Sequence, residues 1–434
     1  MYNIHSHYEN IFSFIKSLGI NVTLIHLYPF GSTKVDNVEI LHSGPYSDYL
    51  ILCFDQEPLM LNYNTSLFEY VKEFNYRMPI INISNRVVSY YSFVFNDYIT
   101  IDSESFNNIV LKKIPIVLLN TEKNSQEKNN ILNKFNFIDC NYFFHVFAAA
   151  DWYRGYQYCT ELIPPSQRTI KKKYITFNRL TGGARAYRSF LVAELARNNL
   201  LDQGYVSYSD VCPKYGHYEH NILATVGERG VSADYVIRAR YALDRIKYPL
   251  RIDNEGDIPN GSQTLGPITA LTESFLHVVT ETCYWDKKTH LTEKIFKPIV
   301  ARQPFVLLGC ANNLKYLRSY GFKTFDAWWD ESYDSIEDPI LRLQAVVKII
   351  NDICEMSNED LTAMLRAMQH VLDYNYHRFY SKEFIDYCWS ELTENLQSSL
   401  DRPSTLRLID HHLFARTTLT SSLDQPSPQT ALEI

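Results

Sequence analysis

The segment from residue 289 to residue 309, THLTEKIFKPIVARQPFVLLG, constrains the fold of this chain most. Its first half carries apolar residues at helical spacing, and its last part, the run 305–308 before Gly309, is typical of a buried strand. Upstream, the apolar stretch 275–282 predicts another strand, so the sequence predicts a strand–loop–helix–strand unit. In an open α/β sheet, ligands bind at the carboxyl ends of such strands.

Charged residues stand where this unit predicts that edge. Glu281 lies at the end of the first strand, and Thr292, Glu293 and Lys294 open the helix. An ordinary capping arrangement is one interpretation, but a lysine in the first turn opposes the helix dipole. An anionic ligand supplies a reason for that lysine. Glu281 is then expected to contact the ligand or to orient Lys294.

The Thr-Glu-Lys sequence at 292–294, followed by a strand that ends in Gly309, resembles the nucleotide-sugar site of GT-B glycosyltransferases, and most of all the fucosyltransferase-type motif. The resemblance covers about residues 270 to 325. It implies that Glu293 contacts the ribose of the donor and that Lys294 contacts its diphosphate. It also implies a GT-B-like fold and, as the default, an inverting reaction, while a retaining reaction and the donor sugar stay open.

Composition sets broader bounds on the protein. With 434 residues, of which 46% are hydrophobic and 21% charged, the chain is long enough for two α/β domains. The net charge of −7 argues against a general nucleic-acid or anionic-membrane binder. No segment reaches the ~18 apolar residues of a membrane span, and no signal peptide is visible, so we expect a soluble, cytoplasmic protein. The eight cysteines have no metal-ligand spacing and are expected to be reduced.

Strands that alternate with helical patterns predict an α/β fold of two Rossmann-like domains facing a cleft, with C-terminal helices crossing back. Pro164 and Pro165 mark the linker. The predicted units are an acceptor-side domain at 1–165, a nucleotide-sugar-binding domain at 166–378, a helix at 379–400 that packs back on the first domain, and a partly disordered tail at 401–434. Further strands are predicted at 79–83, 114–119, 142–147, 173–177 and 322–325.

Three carboxylates are candidates for the general base that takes the proton of an acceptor hydroxyl. Asp55 and Glu57 follow the apolar strand 49–54, and Asp151 follows the strand predicted at 142–147. A structural turn explains Asp55 and Glu57 equally well. His145, within an aromatic run, is more typical of a satisfied core histidine than of a base.

A cluster of basic residues between 168 and 197 is the second candidate anion site. Arg179 and Arg185 bracket a Gly-Gly loop between a strand and a helix, where guanidinium groups can cradle a diphosphate. The alternative is a solvated basic surface, which fits the lysines at 171–173 best. No DxD or HExxH sequence is present, so we expect these cations to replace a metal ion, with no cofactor.

These features predict an inverting, metal-independent glycosyltransferase that moves a sugar from a nucleotide-diphosphate donor to a hydroxyl acceptor. Two alternatives stay open. One is a non-catalytic structural or binding protein with a GT-B-like fold. The other is a glycosyltransferase acting on modified DNA bases, with phosphates contacting the basic cluster, although the net charge does not favour nucleic acid.

Overall fold

A computed structural model describes residues 2–27, 38–42, 48–56, 59, 87–92, 97–102, 115–252 and 263–401. The strands are β1 Val22–Leu27, β2 Val38–His42, β3 Tyr49–Cys53, β4 Val87–Ser92, β5 Asp97–Asp102, β6 Ile116–Asn120, β7 Ile138–Asn141, β8 Lys172–Phe177, β9 Gly204–Ser207, β10 Val211–Cys212, β11 Gly216–His217, β12 Ser274–Thr280 and β13 Phe305–Leu308. The α-helices are α1 His7–Ser17, α2 Gln126–Phe135, α3 Phe144–Trp152, α4 Tyr187–Arg197, α5 Tyr218–Arg229, α6 Ala233–Leu243, α7 Ile268–Glu273, α8 Phe296–Val300, α9 Asn313–Ser319, α10 Pro339–Glu355, α11 Asn358–Tyr380 and α12 Lys382–Leu400.

The first sheet has the strand order β2-β1-β3-β6-β7. The strands β1, β3, β6 and β7 are parallel to one another. β2, at one edge, pairs with β1 in the antiparallel direction. All five residues of β6 are buried, as expected for a parallel strand covered on both faces. The carboxyl ends of the parallel strands therefore lie at one edge, where Asp55 follows β3, Thr121 follows β6 and Tyr142 follows β7.

The second sheet has the order β13-β12-β8-β9, and all its pairings are parallel. β12 is buried at all seven positions, as expected for an inner strand of a parallel sheet covered on both faces. Asn178, Glu281 and Gly309 follow the carboxyl ends of β8, β12 and β13 at one edge. The α/β class with parallel sheets, predicted from the sequence, is thus confirmed.

Two loops join the carboxyl-end edges of the two sheets. Lys123, after β6, and Thr289, after β12, exchange backbone hydrogen bonds of 3.0 and 2.7 Å. Beside them the buried ammonium of Lys288 donates to Glu122 Oε1 at 3.0 Å and to Glu127 Oε2 at 2.9 Å. Burial lowers the pKa of Lys288, but the two carboxylates outweigh it and raise that pKa, so the amine stays charged.

The helix α12 packs on the first sheet, beside β7. Ser381 ends α11 and caps α12, because its hydroxyl accepts a hydrogen bond from Phe384 N at 3.1 Å. Near the far end of α12, Asn395 Nδ2 donates to Asn141 O and Ser399 Oγ donates to Asp139 O, both at 2.9 Å. The preceding helix α11 contacts α8 and β12 of the second sheet. The domain boundaries at 165 and 378 stay predictions.

The predicted strand at 142–147 is wrong. The strand of this region is β7, which comes before it, and the run belongs to α3. Residues 144–149 are all buried, and an apolar run buried on every side has no period that separates a helix from a strand. Asp151 consequently lies in the last turn of a helix and not at a strand end.

The predicted strand at 322–325 is wrong as well. The segment is irregular, and Asn375 bonds both backbone groups of Lys323, accepting from its N at 2.8 Å and donating to its O at 2.9 Å. Glu331 accepts from Phe325 N at 2.8 Å. Side chains thus make the backbone hydrogen bonds that a neighbouring strand would make in a sheet. The strand predicted at 79–83, the candidate base Glu57 and the tail from 402 lie outside the described residues.

Candidate active site at the carboxyl end of β12

The Thr-Glu-Lys segment forms a tight entry to α8. Thr292 caps a 3-10 turn at Glu293–Ile295, which continues directly into α8. This turn buries Glu293, which is 5% exposed, and leaves the side chain of Lys294 28% exposed. The segment therefore presents one buried anion and one accessible cation at the carboxyl end of β12.

The carboxylate of Glu293 lies between an ammonium group and an imidazole ring. Its Oε1 accepts from Lys294 Nζ at 3.1 Å, and its Oε2 lies 3.6 Å from His145 Nδ1. Burial raises the pKa of Glu293, but Lys294, His145 and Lys297 together lower it to about 2. Glu293 is therefore ionised at neutral pH.

The ammonium of Lys294 is held in place by oxygen atoms. It donates to Thr292 Oγ1 at 3.1 Å and to Thr282 Oγ1 at 3.2 Å, in addition to Glu293. An ammonium group has three donors, so an arriving anion would replace one of these neutral hydroxyl partners. The anion would then contact an ammonium group whose position is already fixed by its other two partners.

Glu281 fixes the position of Thr292 through two hydrogen bonds. Its Oε1 accepts from Thr292 N at 3.2 Å, and its Oε2 accepts from Thr292 Oγ1 at 2.5 Å. The side chain is fully buried, and burial raises its pKa against the opposing effects of Lys294 and Thr292. Of the two roles expected for Glu281, these contacts favour that of orienting Lys294, through Thr292.

Two buried histidines lie beside Glu293. The rings of His145, from α3, and His290 are 5.7 Å apart between centroids and nearly perpendicular. Neither ring nitrogen of either residue has a hydrogen-bond partner within the described part of the chain. Burial lowers the pKa of His145 to about 4 and that of His290 well below its usual value. His145 is buried, as expected for a core histidine, and its nearest polar neighbour among the described side chains is Glu293, whose Oε2 lies 3.6 Å from its Nδ1.

Sequence reasoning missed His290. The available signal was a histidine two residues before Thr292, in the loop that leads to the Thr-Glu-Lys turn. Asn313 fixes the backbone of His290, since its Nδ2 donates to His290 O at 3.0 Å and its Oδ1 accepts from His290 N at 3.3 Å. The backbone of Thr121, from the first sheet, lies beside the ring. His290 therefore faces both sheets.

The loop between β8 and α4 reaches the same edge, because β8 and β12 are adjacent parallel strands. Arg179 is exposed and Arg185 half-buried, and no ion pair holds either of them among the described residues. A Cβ at Gly182 would lie 2.2 Å from Tyr215 Cβ, and Gly183 has a φ of +56°, so the backbone requires both glycines. The loop presents two guanidinium groups without carboxylate partners.

The rest of the basic cluster does not join them. Arg188 is buried and donates to Thr280 O at 2.7 Å, to Leu180 O at 3.0 Å and to Glu281 O at 3.2 Å, which ties β12 to the loop. The remaining members have protein partners elsewhere: Lys171 with Glu273, Lys172 with Asp202 O, Lys173 with Met356 O, Arg168 with Ala301 O and Arg197 with Glu194. The cluster is therefore not one phosphate-binding surface.

On the first sheet, Asp55 is fully buried within a polar network. Tyr8 donates to its Oδ1 at 2.7 Å, and Tyr142 donates to its Oδ2. The network extends from Tyr142 to His7 at 2.9 Å and from Tyr8 to Gln56 at 3.0 Å. Burial raises the pKa of Asp55 to about 6, although the tyrosine hydroxyls lower it. Among the described residues, these two tyrosine hydroxyls are the side-chain donors to the carboxylate of Asp55.

Asp151 lies in a different environment. Its Oδ1 accepts from Arg154 Nη1 at 2.7 Å, three residues further along the chain. The structure does not place Asp151 in the network of Asp55.

Comparisons with protein-family models, with curated proteins and with solved structures find no match for this chain. Within the described ranges, no group of three or more His, Cys, Asp or Glu side chains is arranged to hold a metal ion. None of the described helices is long and apolar enough to cross a membrane.

Proposed function

We propose that this protein is a glycosyltransferase-type enzyme that binds a nucleotide-diphosphate sugar at the carboxyl end of β12. The observation that carries the proposal is the grouping of positively charged side chains there. Lys294 is accessible, and Arg179 and Arg185 have no acidic partner among the described residues. An α/β sheet binds ligands at this edge, and the Thr-Glu-Lys turn adds the resemblance to GT-B donor sites.

The cations suit the diphosphate of the donor. Negative charge accumulates on the leaving diphosphate as the bond to the sugar breaks, so a fixed ammonium and guanidinium stabilise the transition state. Glu293, ionised because its pKa is lowered to about 2, is an acceptor for the diol of a ribose. To reach it, the diol replaces the contact of Glu293 with Lys294 or with His145.

The first sheet supplies the candidate base. In a single displacement, the acceptor oxygen forms a bond to the anomeric carbon while the bond from that carbon to the diphosphate oxygen breaks. The proton of the acceptor hydroxyl passes to Asp55 by way of Tyr8 or Tyr142, each of which hydrogen-bonds the carboxylate. A pKa of about 6 suits a general base near neutral pH.

A donor screen tests the proposal. The purified chain is mixed with UDP- and GDP-linked hexoses and with UDP and GDP alone, its melting temperature is measured, and sugar release or transfer is assayed for each compound that stabilises it. We expect at least one nucleotide sugar to raise the melting temperature and to be turned over. Stabilisation without turnover would indicate a binding protein, and no stabilisation by any compound would reject the donor site.

A further inference from the structure

Three segments bring unpartnered polar atoms to the place where the two sheets meet. They are Thr121 after β6, His145 on α3 and His290 in the loop before α8. The hydroxyl of Thr121 and both ring nitrogens of each histidine are buried without a hydrogen-bond partner among the described residues. Buried polar groups in native proteins are nearly always paired. Two of these five atoms have a polar neighbour, since Glu293 Oε2 lies 3.6 Å from His145 Nδ1 and the backbone of Thr121 lies beside the ring of His290; the other three point to a ligand that pairs them.

The chemistry of these atoms selects a neutral group over an anion. A neutral imidazole has one N–H donor and one acceptor nitrogen, and a threonine hydroxyl can also donate and accept. A ligand hydroxyl matches both functions, whereas a phosphate oxygen only accepts. Burial lowers the pKa of both histidines, so neither is charged at neutral pH. The positive charges of this edge are instead on Lys294 and on the arginines of the β8–α4 loop.

We infer that Thr121, His145 and His290 form a binding site for the hydroxyl groups of a sugar, next to a separate site for the diphosphate. The inference rests on the proposed function, since it assigns the sugar of the donor to these three side chains. Glu293 lies between the two sites, because it contacts Lys294 on one side and His145 on the other. The three residues then select the sugar, while the cations hold any nucleoside diphosphate.

Calorimetry on matched ligands separates the two sites. Affinities for UDP, GDP and the corresponding hexose conjugates are measured for the wild type, His290→Phe, His145→Phe and the milder Thr121→Val. We expect each variant to keep its affinity for the nucleoside diphosphate within about twofold, and the histidine variants to lose roughly tenfold for the conjugate, as for one lost hydrogen bond. His277→Phe is the control, because this buried histidine has a partner in Gln303 at 3.3 Å; the ratio of its two affinities should not change.

Each outcome decides between the inference and the function on which it rests. Equal losses for both kinds of ligand, or no loss, in variants that fold would overturn the sugar site and leave the diphosphate site standing. If the histidine variants do not fold, Thr121→Val and the spectra below decide. A crystal structure with a bound donor and with only water on the imidazoles would also overturn the sugar site.

A second measurement does not depend on the nucleotide. The chain is labelled with ¹⁵N-histidine, and glucose, galactose, mannose or fucose is added at millimolar concentration. A shift of the His145 and His290 imidazole signals by at least one sugar, absent in Thr121→Val or weakened there, supports the sugar site. If the wild type binds no nucleoside diphosphate, the proposed function fails, and this titration alone decides the inference: unmoved signals overturn it.

Discussion

In both sheets, polar residues follow the carboxyl ends of the parallel strands. The two sheets differ in the partners that the chain supplies for those residues. At the first sheet, both oxygens of Asp55 accept hydrogen bonds from tyrosines, and Glu122 is paired with Lys288. At the second, Arg179 and Arg185 have no acid beside them among the described residues, and the partly exposed ammonium of Lys294 is held by Glu293 and two threonine hydroxyls. A buried charge alone therefore does not identify a site. Missing partners are the more specific sign.

The difference extends to protonation. Asp55 lies among neutral hydroxyls, so burial dominates and raises its pKa to about 6. Glu293 is buried as well, but Lys294 and His145 outweigh burial and lower its pKa to about 2. The same side-chain chemistry is thus tuned in opposite directions by the charges around it.

The largest effect is expected where the two edges are joined. Lys288→Met leaves the carboxylate of Glu122 buried without its cation, which should cost about 3 to 5 kcal/mol of unfolding free energy in urea titrations. Lys287→Met is the matched control, because the adjacent Lys287 is 82% exposed and pairs with Glu337 at the surface. A Lys288 variant as stable as the control would mean that this junction is not a closed core.

The opposite pKa shifts predict opposite pH dependences. The pKa of Asp55 is raised from 3.8 to about 6, so the stabilising protonated form is lost as pH rises through 6. The wild type should therefore lose about 2 to 3 kcal/mol relative to Asp55→Asn between pH 4 and 7. The pKa of Glu293 is lowered from 4.5, so the wild type should lose stability relative to Glu293→Gln as pH falls below 4.5. Urea titrations from pH 3 to pH 7 check both; equal signs would refute the comparison.

Turnover tests whether the closed network of the first sheet has a catalytic role. We expect Asp55→Asn to reduce sugar transfer by roughly 100-fold, the usual contribution of a general base, with donor affinity unchanged. The control is Asp151→Asn, which removes only the local pair with Arg154. If Asp55→Asn keeps its turnover while Asp151→Asn loses it, the base is Asp151.

Donor binding should respond to the accessible cation of the second sheet. Lys294→Ala removes a charge-assisted contact and is expected to weaken nucleoside-diphosphate binding by roughly 1.5 to 3 kcal/mol in calorimetry. The fold should persist, because the ammonium is partly exposed. Lys315→Ala, at an exposed lysine of α9, should leave the affinity as it was. Unchanged affinity in a folded Lys294 variant would remove the diphosphate from this turn.

The smallest effect concerns the arginines of the β8–α4 loop. Arg185→Ala should lower the turnover number by roughly tenfold and the donor affinity less, because the charge on the leaving group is greatest in the transition state. Arg179→Ala, at the more exposed position, should have the weaker effect of the two. Steady-state kinetics at saturating donor decides, and a loss of affinity alone would make both arginines simple binding contacts.

Local patterns in the sequence predicted much of this fold. The strands β3, β8, β12 and β13 and the helix α12 lie within a few residues of their predicted bounds. Asp55, Glu281 and the Thr-Glu-Lys turn accordingly follow the strands that were expected to carry them. The prediction of a strand for the aromatic run of α3 was wrong, because the run is buried on all sides and its apolar residues show no helical or strand period.

The partners of these residues were not predictable in the same way. Lys288 meets Glu122, and His290 meets His145, across more than 140 residues of sequence. Such meetings depend on how the two sheets dock, and no local pattern specifies that. Likewise, the basic residues between 168 and 197 are neighbours in sequence, but the turn after β8 sends them to opposite ends of the strand.

The attachment of α12 to β7 has a consequence for biosynthesis. Asn141 and Asp139 are made early, whereas Asn395 and Ser399, which bond their backbones, are made about 250 residues later. At roughly 5 to 20 residues per second, the ribosome needs about 10 to 50 s to supply that helix. Throughout this interval one side of the first sheet has no cover from α12. The first half can complete its packing only when the segment 382–400 has left the exit tunnel.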